Sequence, residues 1–303
     1  TGGAGFIGSH VAEALVEGGH EVVVLDDLSS GHRSNVPEGA RLVEASITSD
    51  AASATVNEFG PDAIFHHAAQ MDVRRSVADP VFDATTNVIG TVRLLEAART
   101  AGCGFFQLAS TGGAIYGEHD ALPTPEDTPP RSESPYGLSK LCGEHYVDYY
   151  SRIGAFRGVS LRYGNVYGPR QDPHGEAGVV AIFSERMLRD ETPTIFGDGK
   201  QTRDYVYVGD VVRAVLAAWT TEAASGPFNI GTGVETDVNR LAGVIAAAAG
   251  YTGEIPHGAA KPGEQRASCI DISRAGAVLD WRPRVSLEDG LGRTVEWFRQ
   301  KGS

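Results

Sequence analysis

Through the first half of the chain, short apolar runs alternate with longer stretches whose apolar positions recur at helical spacing. Glu21–Asp27 is an apolar run closed by two acids, Arg41–Ala45 a shorter run, and Ala63–Ala69 a third that ends in small residues. Phe105–Ser110 and Gly158–Tyr163 continue the series. Val88–Ala101 places Val88, Val92, Leu95 and Ala98 on one face of a helix. Such alternation predicts an α/β fold built on a doubly wound parallel sheet with right-handed crossovers. After Tyr163 the pattern breaks up, and turn-rich segments at Gly168–Gly175 and Phe196–Lys200 separate short elements. A smaller, irregular C-terminal lobe is expected there, over the carboxyl ends of the strands where open α/β sheets bind ligands. The expected division is 1–165 for the large domain and 166–303 for the lobe, with segments around 203–232 returning to the sheet.

The first residues, Thr1-Gly2-Gly3-Ala4-Gly5-Phe6-Ile7-Gly8, form a T-G-x-x-G-x-x-G turn that runs into an amphipathic stretch. Glycines at this spacing let the backbone turn sharply and approach a pyrophosphate. The free N–H groups and the positive end of the following helix then face that charge. The large domain is therefore read as a Rossmann-type nucleotide-binding domain. Its first strand is expected upstream of Thr1, because that strand is central in such a sheet. Asp26 closes the next apolar run, roughly 20 residues on, where a carboxylate accepts from the adenosine ribose hydroxyls and repels a 2′-phosphate. Leu28-Ser29-Ser30-Gly31 follows without an arginine, so the cofactor is read as NAD, not NADP. The alternative for Asp26 is an acidic strand end that caps the next element.

Composition narrows the partners. The chain has 303 residues, is 41% hydrophobic and carries a net charge of −13. An acidic surface argues against nucleic acid or anionic membrane as partner, and an anionic ligand then needs local arginines. Cys103, Cys142 and Cys269 show no C-x-x-C or metal spacing, which fits reduced, inert thiols and a cytoplasmic protein. His66 and His67 point to opposite faces of a strand and read as structural, so no metal site is expected. No run of about 18 apolar residues suggests a membrane span.

The chemistry concentrates at Tyr136-Gly137-Leu138-Ser139-Lys140, a Y-x-x-x-K that puts a phenol and an ammonium on one helical face. Such a pair often means only packing and a solvated charge. Behind a glycine turn and a strand ending Ser110-Thr111, it reads as a general base whose pKa is lowered by neighbouring positive charge. The hydroxyls of Ser110 and Thr111 are placed to hydrogen-bond the same oxygen, and the reading leaves open which of the two faces the substrate.

Taken together with His66-His67-Ala68-Ala69-Gln70, Asn87-Val88-Ile89-Gly90-Thr91, Ser110–Gly117, Arg162–Gly168, Arg203–Asp210 and Asn229–Gly233, these residues resemble the extended short-chain dehydrogenase/reductase superfamily. Within it they are similar to nucleotide-sugar 4-epimerases of the UDP-glucose 4-epimerase type. The resemblance implies that Gly2, Gly5, Phe6 and Ile7 hold the NAD pyrophosphate, and that Asp26, Ser29, Ser30 and Gly31 surround its ribose. It implies Ser46 and Ile47 at the adenine. Ala68, Ala69, Gln70, Asn87, Tyr163, Tyr136 and Lys140 would lie along the rest of the cofactor. Ser46 stands where the family commonly has aspartate, and Met71 where some members place a lysine.

For the substrate, it implies Asn165, Val179, Arg203 and Arg266 near a UDP diphosphate, Thr194 and Phe196 at the uracil, and Thr111, Tyr136 and Ser268 at the sugar. Each arginine is alternatively a surface ion pair, and Ser268 alternatively satisfies a loop.

The implied reaction is redox-neutral. Tyr136 takes the 4-hydroxyl proton, a transient 4-keto sugar turns, and hydride returns to the opposite face, with NAD retained. Gly112-Gly113 after Thr111 lack the acid pair that a 4,6-dehydratase uses, and Asp172 disfavours a uronate. UDP-glucose and UDP-galactose are thus the expected substrates. UDP-glucuronate, UDP-N-acetylglucosamine, net dehydrogenation and non-enzymatic sensing are the alternatives. A homodimer is implied, packed through the helices around Asn87–Ala101 and Tyr136–Ile153, with Tyr146, Val147 and Tyr150 as contacts.

Overall fold

The computed structural model describes every residue except 120, 175–177, 262–264 and 303. The strands among the described residues are β1 (Val23–Asp26), β2 (Arg41–Glu44), β3 (Ala63–His66), β4 (Phe105–Thr111), β5 (Arg157–Tyr163), β6 (Asn165–Tyr167), β7 (Ile195–Phe196), β8 (Thr202–Tyr207), β9 (Gly226–Ile230), β10 (Glu235–Asp237) and β11 (His257–Gly258). Strands β3, β4, β5 and β9 form a parallel sheet in the order β3-β4-β5-β9, and β1 pairs with β2, also parallel. Thr1 and Gly2 sit between the carboxyl ends of β1 and β3. Gly2 N–H donates to Leu25 O (2.9 Å), the Thr1 amino group to Phe65 O (2.8 Å), and His67 N–H to Thr1 O (3.1 Å).

Helices cover both faces, and their apolar stripes explain why β4 and β5 read as nearly continuous hydrophobic runs. On one face Val11 and Leu15 (helix Phe6–Glu17) and Val211 and Val215 (helix Val208–Thr220) pack on Val24, Leu161 and Phe228. On the other, Val56, Leu94, Leu95, Val147 and Tyr150 close over Phe106 and Leu108. A third core belongs to the C-terminal lobe, where Phe183, Met187, Leu241, Ile245, Leu291 and Val295 pack three helices together. There β8 lies between β6 and β10, and β7 pairs with β11.

Two predicted elements differ in detail. The run Ala63–Ala69 is a strand only to His66. Its backbone then leaves the sheet to cross the glycine turn so closely that a Cβ on Gly2 would lie 2.5 Å from Ala68 N. The helix expected from Val88 is continuous with a turn of π-helix at Thr85–Ile89. That wider turn leaves the Asn87 carbonyl to accept from the Thr91 hydroxyl (2.6 Å).

Candidate active site

The glycine turn forms a cradle of backbone. Gly2 takes φ +71°, open to glycine at little cost, and a Cβ on Gly8 would lie 2.1 Å from Gly2 O. The helix Phe6–Glu17 starts at Gly5 with no side chain capping it, so its first N–H groups, including those of Phe6 and Ile7, are left to an external acceptor. A narrow, uncapped cradle of this kind fits the diphosphate of a dinucleotide.

Asp26 is buried at the end of β1, and both its oxygens already serve the protein. Oδ2 accepts from Ala4 N–H and Oδ1 from Leu28 N–H, each at 2.9 Å. The carboxylate therefore shapes the glycine turn as well as bordering the cleft. Ser29 is tied to Asp27 through its N–H and hydroxyl, while Ser30 is exposed. Gly31 lies against Ala4, closer than a Cβ would allow. Ser46 exchanges a hydrogen bond with Thr48 (3.0 Å), and Ile47 is buried against Gly90.

The loop after β3 is held by side-chain amides. Asn87 Oδ1 accepts from Gln70 N–H and its Nδ2 donates to Gln70 O, both at 2.8 Å, so one side chain grips one residue's backbone twice. Gln70 Nε2 and Asn87 Nδ2 also donate to Asp83 Oδ1, at 3.0 and 3.1 Å. Asn87 and Gln70 thus set the path of Ala68 and Ala69, and it is that backbone which borders the cleft. The Tyr163 phenol is likewise engaged inside the protein, with His67 (3.1 Å) and Gln107 (3.3 Å).

Ser134 caps the helix Pro135–Arg152 by accepting from Gly137 N–H (3.2 Å), and Pro135 opens its first turn. Tyr136 and Lys140 follow on one face. Lys140 Nζ is buried and donates to Ala109 O (2.9 Å), which ties the helix to β4 just before Ser110 and Thr111. Burial lowers the Lys140 ammonium to about 8, against the opposing pull of Asp83 and Glu144. Tyr136 departs from expectation. Burial, reinforced by Asp83, pushes its phenol up to about 12. In the protein alone the desolvation cost of a phenolate outweighs the neighbouring ammonium.

Thr111 and Ser110 point opposite ways, as successive strand residues must. Thr111 Oγ1 accepts from Ala114 N–H (3.2 Å) at the cleft, and a Cβ on Gly113 would lie 3.9 Å from it and 4.0 Å from Ser268 Oγ. Ser110 is buried behind Thr111. Its hydroxyl donates to Glu144 Oε1 (2.5 Å), and Glu144 is gripped from Nε and Nη2 of Arg162 in a buried pair. Sequence reasoning passed over Glu144 and Asp83. The available signal was spacing, since Glu144 stands four residues after Lys140 and Asp83 four before Asn87.

From the C-terminal lobe come Asn165 at the start of β6 and Arg203 on β8. Arg203 is half-buried with no carboxylate partner among the described residues; its guanidinium donates to Thr202 O (2.7 Å). Asp204 accepts from Thr232 and Gly233 N–H and from the Thr232 hydroxyl, locking the loop beside it. Ser268 is buried on the segment joined to Thr202, where its N–H donates to Thr202 O (3.2 Å). Phe196 is 41% exposed under the Lys261 ammonium (4.2 Å from the ring centre), with Thr194 one residue before β7. Val179 begins the helix Val179–Leu188. The Arg266 guanidinium forms a bidentate pair with Asp198 (2.9 and 3.0 Å) on the exposed surface. Gly263 and Glu264, beside it, lie outside the described residues.

A glycine-rich cradle, a Y-x-x-x-K helix and an arginine without a carboxylate partner among the described residues match a known pattern. The model of the NAD dependent epimerase/dehydratase family fits residues 1–231. The chain belongs to this family. A UDP-glucose 4-epimerase of Mycolicibacterium smegmatis is 48% identical over 306 residues, spanning 99% of this chain and 98% of that protein. The structure of a Thermotoga maritima UDP-glucose 4-epimerase with UDP-glucose superposes with a TM-score of 0.96 at 47% identity, covering 100% of this chain and 98% of its own. That of a Thermus thermophilus UDP-glucose 4-epimerase with NAD gives 0.93 at 44%, covering 98% and 97%. The family thus joins the Rossmann-type fold, NAD and nucleotide-sugar chemistry that the motifs implied.

Proposed function

We propose that this protein is an NAD-dependent UDP-sugar 4-epimerase that interconverts UDP-glucose and UDP-galactose. The observation that carries the reading is the Tyr136–Lys140 pair beside Thr111, at the end of a nucleotide cradle, in a chain 47–48% identical over its whole length to UDP-glucose 4-epimerases.

Gly2, Gly5, Phe6 and Ile7 would hold the diphosphate of NAD, Asp26 with the loop Ser29–Gly31 its ribose, and Ser46 and Ile47 its adenine. Ala68, Ala69, Gln70, Asn87 and Lys140 would line the remainder. NAD, when bound, supplies a reversible hydride acceptor and a positive ring that favours the Tyr136 phenolate. Tyr136 accepts the proton of the sugar 4-hydroxyl and later returns it, and Thr111 hydrogen-bonds the same oxygen. Arg203, free of any described acid and steadied by the Asp204 loop, pairs with the UDP diphosphate while the sugar turns. Asn165, Val179, Thr194 and Phe196 complete the nucleotide side. Gly112 and Gly113 offer no acid for elimination of water.

Ser268 supports a broader sugar range. Its hydroxyl faces the space around Gly113 and Thr111 and makes no hydrogen bond among the described residues, so the pocket has room beside the sugar. A second copy of this chain is the proposed partner. Leu138, Tyr146, Tyr149 and Ile153 form an exposed stripe at helical spacing, with Ile89 exposed on the neighbouring helix. Val147 and Tyr150, expected in that interface, face the core instead.

The test is a panel of UDP-sugars offered to the purified protein without added cofactor. UDP-glucose should approach equilibrium with UDP-galactose, and a UDP-N-acetylhexosamine or uronate should be turned over to some degree. Ser268→Tyr should suppress the bulkier substrates and spare UDP-glucose. Net NADH formation in step with UDP-glucose consumption would replace the epimerase by a dehydrogenase.

A further inference from the structure

Asp83 is 1% exposed, at the penultimate position of the short helix Pro80–Ala84. Its two oxygens have different surroundings. Oδ1 accepts from Gln70 and Asn87, the residues that fix the loop beside the cleft. Oδ2 is buried and has no hydrogen-bond partner. A carboxylate so placed is costly unless a positive charge answers it.

The charges around it are few. Lys140 and Tyr136 face it from the helix Pro135–Arg152. Glu144 lies on that helix one turn beyond Lys140, but the Arg162 guanidinium neutralises it. His66 and His67, at the end of β3, are held neutral because burial drives their pKa values far down. Among the described residues around Lys140, Asp83 is therefore the carboxylate with no cation of its own, and Lys140 the cation with no carboxylate bonded to it.

We propose that Asp83 is a positioning residue with two tasks: one oxygen sets the Gln70–Asn87 loop, and the other places a buried negative charge beside Lys140 and Tyr136. The inference rests on the epimerase reading for the use made of Lys140 and Tyr136, but not for the charge pairing itself. The directions of both shifts agree with it, since Asp83 holds up the Lys140 ammonium against burial and raises the Tyr136 phenol.

Asp83→Asn separates the two tasks. The amide keeps an oxygen for Gln70 and Asn87, preserves volume and removes the charge. Lys140 is one of four lysines, with Lys200, Lys261 and Lys301, so its side chain can be followed singly by NMR in lysine-labelled protein. In Asp83→Asn its titration midpoint should fall by about one pH unit or more. Both limbs of the kcat–pH profile should move toward acid, because Tyr136 and Lys140 each lose a nearby negative charge. A folded variant with an unchanged Lys140 midpoint would overturn the proposal. If the variant does not fold, aspartate carboxyl NMR of the unaltered protein decides: the Asp83 resonance should inflect at the Lys140 midpoint, and its failure to do so would overturn the pairing. A shifted midpoint in a protein that does not epimerise UDP-sugars would sink the epimerase reading and leave Asp83 as counter-ion.

Discussion

In the proposed mechanism Tyr136 is the base, and burial works against it. A phenol raised to about 12 donates a proton at neutral pH instead of accepting one. The proposed base function therefore calls for positive charge brought into the cleft with the cofactor. Tyr136→Phe keeps the ring and the helix, and no hydrogen bond of the phenol is lost among the described residues. Its melting temperature should therefore stay near that of the parent while kcat for UDP-glucose falls by about two orders of magnitude or more. Retention of a near-normal rate in a direct product assay would remove Tyr136 from the mechanism. The Tyr136–Lys140 pair was legible in sequence because four-residue spacing on a helix is itself the geometry. The partners of Ser110 and Arg266 were not, because Glu144 and Asp198 lie 34 and 68 residues away. Nothing local says whether a hydroxyl or a guanidinium is already spent.

At the scale of elements, the site depends on how closely backbone meets backbone. The glycine turn closes on itself at Gly8, where a Cβ would fall 2.1 Å from Gly2 O, and Gly2 in turn presses on Ala68. Gly8→Ala cannot be absorbed by a side-chain rotation, because the obstacle is a carbonyl. It should cost about 1–3 kcal/mol or more in stability and strip NAD from the purified protein. Chemical denaturation and the nucleotide absorbance of the isolated variant check both; an unaltered NAD content would show that the turn is looser than the geometry indicates. Strand and helix positions were readable because apolar period and turn residues report them directly. The early end of β3 at His66 was not, since it is caused by the approach of Gly2 across the sheet.

The α/β sheet is joined to the elements that carry Arg203 and Ser268, with β9 running back into the first sheet. The exposed stripe of Leu138, Tyr146, Tyr149 and Ile153 lies on the helix that carries Tyr136 and Lys140, so pairing of two copies there would brace the catalytic helix from outside. Light scattering at micromolar concentration should give the mass of a dimer, and a monomer mass would count against that face as an interface. The resemblance offered Val147 and Tyr150 as interface contacts, with the core as their alternative, and they lie in the core. Only packing on Phe106 and Phe156 reveals which stripe is core.

The central claim is that the hydrogen removed from C4 of the sugar returns to the same carbon within one encounter. Incubation of UDP-glucose deuterated at C4 with the protein, followed by mass and NMR analysis of the products, tests it directly. The account predicts UDP-galactose that keeps its deuterium at C4, with none in solvent and no accumulation of reduced cofactor. Loss of the label from C4, to water or to released NADH, would contradict it.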